Sequence, residues 1–360
     1  MFDLILIGFG LTGRFIFPQL VRTFPKILVI DPYPLQKLGN NAARESLLPF
    51  SPKNYRQSRS QVFGGWCESR TDLKFFSDQG LSLQEETLTT AFAGLDTKFL
   101  HPKITLHHFQ GLSSSPVLEK PVTKITEEND HIVVTAGQET FRAKRVVSTL
   151  SPEALAPLLF PLETSQYAQL TCDENAVRSL LIISDKPPEA QSGAGFYGPF
   201  DLGNDQTCGV ECLGAFDWND LDISTREAFE RQGTTGKSYR FAHFFWSGPF
   251  LKFTEGRRQW EYQNESASCV ANMERFFKNF TDRIGSDGEK AFLVRDFEDD
   301  PGLFHQAALR GDKPLFDENG FVHGHPKIKV LGSPLLRRLR GVHPTLEILK
   351  TSYEAIARMV

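Results

Sequence analysis

Residues 3–31 constrain the fold of this chain more than any other stretch. The run Asp3-Leu4-Ile5-Leu6-Ile7 has the length and apolar character of a buried strand, and Gly8-Phe9-Gly10-Leu11-Thr12-Gly13 follows at once. A second run, Lys26-Ile27-Leu28-Val29-Ile30, ends on Asp31. Strand, Gly-x-Gly-x-x-Gly turn, helix, strand and terminal acid together make a dinucleotide-binding fingerprint. Gly8 permits the tight turn, Gly10 lets a pyrophosphate approach the backbone, and Gly13 lets the helix pack on the strand. The helix N-terminus, with Leu11 and Thr12 in its first turn, offers phosphates its unbonded N–H groups and positive dipole end. Asp31 is placed to accept hydrogen bonds from ribose hydroxyls. Pro18 falls inside the first helix, where it removes a donor and crowds the preceding turn, so a kink or an early helix end is expected there.

Size and composition narrow the class. At 360 residues the chain can form one large or two ordinary domains. A net charge of −4, with acids and bases intermixed, argues against a nucleic-acid partner. No apolar segment has membrane-spanning length, and the N-terminal apolar run reads as a strand rather than as part of a signal peptide. The five cysteines (Cys67, Cys172, Cys208, Cys212 and Cys269) are odd in number and scattered, unlike a disulfide framework. Cys208 and Cys212 lack a second pair or a nearby His to complete a zinc set, so no metal site is expected. A reducing, cytoplasmic setting fits this cysteine usage. The 31 phenylalanines, some paired as in Phe75-Phe76, Phe244-Phe245 and Phe276-Phe277, read mostly as core.

Further along, residues 70–115 mix short helical and loop patterns. Residues 122–125, 131–135 and 140–142 form a meander with turns at Asn129-Asp130 and Ala136-Gly137-Gln138. The strand 143–147 then leads through Ser148-Thr149 to a helix start, with Ser151 as cap, Pro152 at the first position and Glu153 at the positive end. A meander returning to a nucleotide-binding sheet is frequent in FAD proteins and points the cofactor toward FAD. Residues 179–183 and 238–246 read as strands and 269–284 as an amphipathic helix. The expected fold is α/β: an FAD-binding Rossmann-like, doubly wound domain with a β-meander, plus a smaller α+β substrate domain. The FAD-binding domain is expected to be discontinuous, from 1–75, 115–164 and 300–360. Residues 76–114 and 165–299 would form the substrate or cap domain.

The C-terminal block, from Phe321 through Val330-Leu331-Gly332-Ser333-Pro334, reads as a turn, a strand and a small-residue turn. Gly341-Val342-His343-Pro344-Thr345 then starts a closing helix, with Pro344 near its first position. A helix N-terminus disfavours a protonated imidazole, so His343 should lean neutral.

In this layout the chain resembles the glucose–methanol–choline oxidoreductases, FAD-dependent enzymes that mostly oxidise alcohols. The resemblance rests on the glycine turn at 8–13, the Gly64-Gly65 doublet, the Ala143 to Leu155 strand and helix start, and the sequence from Val330 to Ile348. It covers roughly half the chain. It implies a cofactor-binding set of Gly8, Gly10, Leu11, Thr12, Gly13, Asp31, Gly64, Gly65, Val122, Gly332, Ser333, Pro344 and Thr345. The family's catalytic histidine corresponds in place to His305, although Gly-Thr does not follow it here, and Asp31 stands where the family usually carries Glu.

Flavin-linked alcohol oxidation needs a base for the hydroxyl proton while hydride leaves the carbon for flavin N5, and imidazole suits that work near neutral pH. His305 is the candidate base and His343 the candidate group for binding or orienting the substrate oxygen. Two rings facing one oxygen would titrate as a coupled pair. The substrate would be a small alcohol, with a sugar or polyol as one option; the electron acceptor is not identified. Two other readings stay open: a flavoprotein of different chemistry, such as amine oxidation or a non-redox rearrangement, and a catalytically silent nucleotide-binding partner protein. His323 and His325, flanking Gly324, read as surface histidines in a turn. Asp299-Asp300 reads as a solvated loop, and Arg337, Arg338 and Arg340 as solubility or anion contacts.

Overall fold

The computed structural model describes residues 1–32, 63–67, 70–79, 82–86, 105–110, 115–159, 170–187, 195–203, 206–221, 223–231, 233, 235–253, 267–286, 288–295, 305–337 and 345–359. The chain is mixed α/β. The apolar run at the amino end forms β1 (Phe2–Ile7), which pairs in parallel with β2 (Ile27–Ile30) on one side and β8 (Glu139–Ser148) on the other. β16 (His325–Val330) lies parallel beyond β8, and β15 (Phe321–Val322) pairs with it at the edge. The antiparallel strands β6 (Val122–Glu127) and β7 (Ile132–Ala136) complete seven strands.

β8 is a single strand where two segments are read from the sequence. Its first half pairs antiparallel with β7 (Ala136 opposite Glu139, Ile132 opposite Ala143), and from Ala143 onward it also runs parallel to β1. One strand thus joins meander and nucleotide sheet, and the change of partner, not a break in the chain, separates the two patterns.

Both faces of the sheet are covered, so β1 is apolar at consecutive positions. Leu4 and Leu6 pack with Phe15, Ile16 and Leu20 of α1 (Leu11–Thr23) and with Leu349 and Ile356 of α6 (Thr345–Ala357). Ile5 and Ile7, pointing the other way, pack with Val134 of the meander and with Leu155 and Leu159 of α3 (Pro152–Leu159). Each such buried side chain contributes about 1.5–3 kcal/mol. α1 does not end at Pro18. Pro18 has no N–H for the Arg14 carbonyl, but the buried faces of Phe15, Ile16 and Leu20 hold the helix through it. α3 starts where its capping residues require: the Leu155 amide donates to Ser151 O at 2.9 Å.

A second, antiparallel sheet has six strands, in the order β10 (Gly195–Gly203), β11 (Gln206–Asp217), β12 (Ser238–Phe253), β9 (Leu170–Ser184) and β13 (Lys290–Arg295), with β14 (His305–Gly311) also paired to β9. α5 (Ala267–Ser286) packs Met273, Phe280 and Ile284 onto one face, against Leu180, Ile182, Phe244 and Trp246. α4 (Ile223–Arg231) lends Phe229 to the other face, with Leu181, Tyr239 and Phe241. The segments read as strands and helix between 179 and 284 are all present, each longer than its sequence signal.

A third sheet joins β3 (Phe63–Cys67), β5 (Thr105–Gln110) and β4 (Ser82–Glu86), near α2 (Arg70–Asp78). The reading of 70–115 as short helices and loops agrees with α2 but does not contain β4 and β5. Ser82-Leu83-Gln84-Glu85-Glu86 carries little intrinsic strand preference, so pairing rather than propensity makes it a strand. Among the described residues no helix is long and apolar enough to cross a membrane.

Candidate functional site

The glycine turn sits where β1 feeds α1, and its glycines do different jobs. Gly8 has φ +89, a conformation glycine adopts without cost, and its amide donates to Ile30 O at 2.9 Å. A Cβ on Gly13 would lie 2.5 Å from Gly8 O, so any side chain there pushes α1 off β1. A Cβ on Gly10 would meet no described atom within 4 Å. Two of the three glycines thus serve the chain's own packing, while Gly10 keeps an open surface clear above the turn. Thr149, just past β8, locks the turn from beneath: its Oγ1 donates to Gly8 O at 2.8 Å and its amide to Ile7 O at 2.8 Å.

The first turn of α1 suits an anion. Gly10 caps it without a side chain and no acid lies in the turn. Arg14 N is the first amide to bond back, to Gly10 O at 3.0 Å, and Leu11, Thr12 and Gly13 have no helical carbonyl to bond. Their N–H groups converge with the positive end of the dipole.

Asp31 is buried at the end of β2, and its Oδ2 accepts the Phe9 amide at 2.6 Å. One carboxylate oxygen therefore ties the second strand to the glycine turn. Burial lowers the Arg14 guanidinium from its ordinary range, and the nearby charge of Asp31 works against that shift.

The C-terminal turn comes to the same place. Leu331 N donates to Ser148 O at 2.8 Å at the end of the strand ladder, and Gly332 follows with φ +94. A Cβ on Gly332 would lie 3.8 Å from Thr12 Oγ1, so the turn before the 3-10 segment Ser333–Leu335 faces the first turn of α1. Ser352 of α6 fixes this arrangement. Its Oγ accepts the Gly332 amide at 2.9 Å and donates to Ile348 O at 2.7 Å. Lys329, fully buried in β16, adds a second tie by donating to Ala355 O at 2.7 Å near the end of α6.

Of the sequence-derived site residues, the structure thus gathers Gly8, Gly10, Leu11, Thr12, Gly13, Asp31 and Gly332, with Ser333 next in the chain. Gly64 and Gly65 lie in β3, opposite His108 and His107, and Val122 opens β6 opposite Ala136. Thr345 is the first residue of α6, while His343 and Pro344 lie outside the described residues. His305 opens β14 and pairs with Asn175 of β9, in the six-stranded sheet. His323 is exposed; His325, read as a surface histidine, is instead half-buried, its Nδ1 2.7 Å from Glu127 Oε2. The β6–β7 hairpin supplies that carboxylate, which the turn sequence around Gly324 could not reveal.

Thr149, Ser352 and Lys329 are not among the site residues read from the sequence. Thr149 carried a weak signal, a small polar residue at the exit of an apolar strand. Ser352 and Lys329 carried none, because their roles depend on how α6 docks.

A cleft of about 950 Å³ lies between α6, the 308–320 segment and the 334–337 turn, walled by Arg310, Lys313, Arg337, Glu347, Glu354 and Arg358 among others; no residue of the 8–13 glycine turn lines it.

No protein-family model matches the sequence, and no curated protein matches it. Among solved structures the chain is similar to pyridoxine 4-oxidase from Mesorbium loti, with a TM-score of 0.57 at 10% identity, covering 99% of this chain and 99% of that one. It also matches the open form of NikD, an unusual amino acid oxidase essential for nikkomycin biosynthesis, with a TM-score of 0.41 at 12% identity, over 100% and 94% of the two chains. A third likeness is to 2,6-dihydroxypyridine-3-hydroxylase from Arthrobacter nicotinovorans, with a TM-score of 0.41 at 11% identity, over 99% and 83%. The first is a likeness of fold from end to end of both chains.

Proposed function

We propose that the protein binds FAD at the glycine turn and is an oxidoreductase acting on a CH–OH donor, a small alcohol such as a sugar or polyol. The observation that carries this reading is the meeting of the Gly332 turn with Thr12 at the first turn of α1. A nucleotide site built from one strand–turn–helix unit needs no such second element. A cofactor long enough to run from a phosphate cradle to a reaction centre does, and FAD has that length. The end-to-end fold likeness to pyridoxine 4-oxidase, an oxidase by name, supports the same reading.

The residues present fit the cofactor. The amides of Leu11, Thr12 and Gly13 would hold the pyrophosphate, and Asp31 would take the ribose hydroxyls. Gly10 leaves the approach clear, and Gly332 and Ser333 would hold the portion beyond the phosphates. Bound FAD would supply the acceptor for hydride. The chain's own part is to hold the alcohol and remove its proton. His305 takes the hydroxyl proton and His343 binds and orients the oxygen. Were both rings to meet one oxygen, protonation of one would disfavour protonation of the other.

Purified protein tests this directly. The preparation should be yellow with flavin absorbance, and anaerobic addition of an alcohol from a panel of sugars, polyols and aromatic alcohols should bleach it, while amines should not. His305→Ala and His343→Ala should each slow bleaching by about 10²–10⁴-fold with flavin retained. A colourless protein that stays empty after incubation with FAD refutes the cofactor, and unchanged bleaching in both variants refutes the histidines.

A further inference from the structure

β14 carries an irregularity with a definite consequence. Ala307 pairs with Asp173 and Arg310 with Thr171, so Ala308 and Leu309 together stand opposite Cys172. This is a β-bulge, and Ala308 takes its left-handed position with φ +55, the one non-glycine residue with positive φ among those described. In a regular ladder Leu309 would oppose Thr171, and Arg310 would fall on the face of Leu170 and Cys172, which is apolar and buried. The extra residue moves Arg310 to the face of Asp173.

There the guanidinium makes a fork: Nη1 to Asp173 Oδ1 at 2.7 Å and Nη2 to Asp173 Oδ2 at 3.1 Å. Nη2 also donates to the Arg337 carbonyl at 2.7 Å. Arg337 lies two residues beyond the 3-10 turn that begins at Ser333. The bulge residues themselves pack on the same point, since Ala307 and Ala308 are buried against Leu336, with Ile348 of α6 beside them. Small side chains at 307 and 308 permit that close approach.

We infer that Arg310 is a positioning residue: the β14 bulge aims it to clamp the chain at Leu336–Arg337, where it leaves the Gly332 turn for α6, onto the six-stranded sheet. The clamp joins the strand that opens with His305 to the chain that leads toward His343 and Thr345. Its consequence for turnover rests on the proposed flavin site; the clamp itself does not. Lysine replaces arginine only in part here, because a single nitrogen cannot present the parallel pair of N–H groups that the fork uses.

Amide hydrogen exchange on the full chain, with and without added FAD, tests it. Arg310→Ala should raise exchange at 335–337 and in the first turn of α6 by about tenfold while β1 and β8 stay as in the parent protein. Arg310→Lys and Asp173→Asn should give the same local pattern at smaller amplitude, and they decide the matter if Arg310→Ala fails to fold. In the flavin-loaded protein kcat should fall about tenfold with KM and flavin content nearly unchanged. Unchanged exchange at 335–337 and in the first turn of α6 overturns the clamp, as does a rise spread evenly over the six-stranded sheet. Exchange in the flavin-free chain reads the clamp alone, so failure to bind FAD would count against the proposed function and leave this result standing.

Discussion

The parallel sheet at the amino end and the antiparallel sheet beyond it use their residues in opposite ways. In the first, the working parts are main chain: glycine conformations, helix amides and a carbonyl held by Thr149. In the second, strands of 15 and 16 residues carry charged and polar side chains inside the fold. Arg240 and Glu289 are paired at 2.5 Å with side chains 1% and 2% exposed, Arg178 reaches Glu274 at 2.7 Å, and Ser179 meets His243 at 2.8 Å. The first region is specified by which atoms are missing, the second by which charges find partners. Each should therefore break in its own way.

The largest effect is expected in the antiparallel sheet. Glu289→Ala removes the carboxylate and leaves the Arg240 guanidinium buried without it. The cost should be about 3–5 kcal/mol, read as a lower urea midpoint at unchanged slope. Glu289→Gln keeps an acceptor and should cost less. At the amino end Gly13→Ala adds one carbon, 2.5 Å from a backbone oxygen that cannot move away without breaking its bond to Thr149. It should cost about 2–3 kcal/mol and, unlike Glu289→Ala, should weaken FAD binding more than it lowers the unfolding midpoint of the flavin-free chain. If both variants lose stability and flavin in the same proportion, the division between the regions fails.

Lys329 tests whether a buried charge in the parallel sheet behaves like those in the antiparallel one. No carboxylate among the described residues forks it; its ammonium lies 4.6 Å over the Phe321 ring and donates to a helix-end carbonyl. Burial lowers its pKa from 10.5 to about 8, with Asp317 opposing the shift and Arg358 and Arg145 adding to it. Between those two values the unfolded chain binds more protons than the folded one, so this group makes stability rise with pH across that window. Relative to Lys329→Met, the parent protein should gain about 2 kcal/mol between pH 7 and pH 10. Urea unfolding at both pH values measures the gain, and no change in the difference between the two proteins would show that Lys329 is not held as a buried cation.

The same contrast explains what could be read in advance. Residues 2–31 were legible because a turn that needs three glycines, a helix amide cluster and a terminal acid leaves marks at fixed spacing. The caps of α3 and the start of α6 were legible for the same reason. The continuity of β8 was not, since an apolar strand looks alike whether its partner is parallel or antiparallel. Nor was the place of β14: Phe304-His305-Gln306-Ala307-Ala308-Leu309 has no alternation to reveal its register, and a bulge decides which face Arg310 takes. Ser352 lies in an ordinary helical position, and docking alone turns its hydroxyl to Gly332. Features written in backbone conformation appear in the sequence; features written in register and docking do not.

The finest test of that distinction compares two adjacent alanines. Ala307 and Ala308 are both buried, 0% and 2% exposed, and both pack on Leu336. Glycine at either position removes a similar methyl contact and adds similar freedom to the unfolded chain. The backbone separates them, because Ala308 holds φ +55 and Ala307 is not in the left-handed region. A left-handed conformation costs an L-residue about 1–2 kcal/mol that glycine does not bear. Ala308→Gly should therefore be less destabilising than Ala307→Gly by about 1 kcal/mol, measured as the difference between their urea midpoints at equal slope. Equal costs would mean that the bulge is not strained at Ala308 and that packing on Leu336 alone selects small residues there; Arg310 would then owe its placement to the contact with Asp173 rather than to a backbone held in tension.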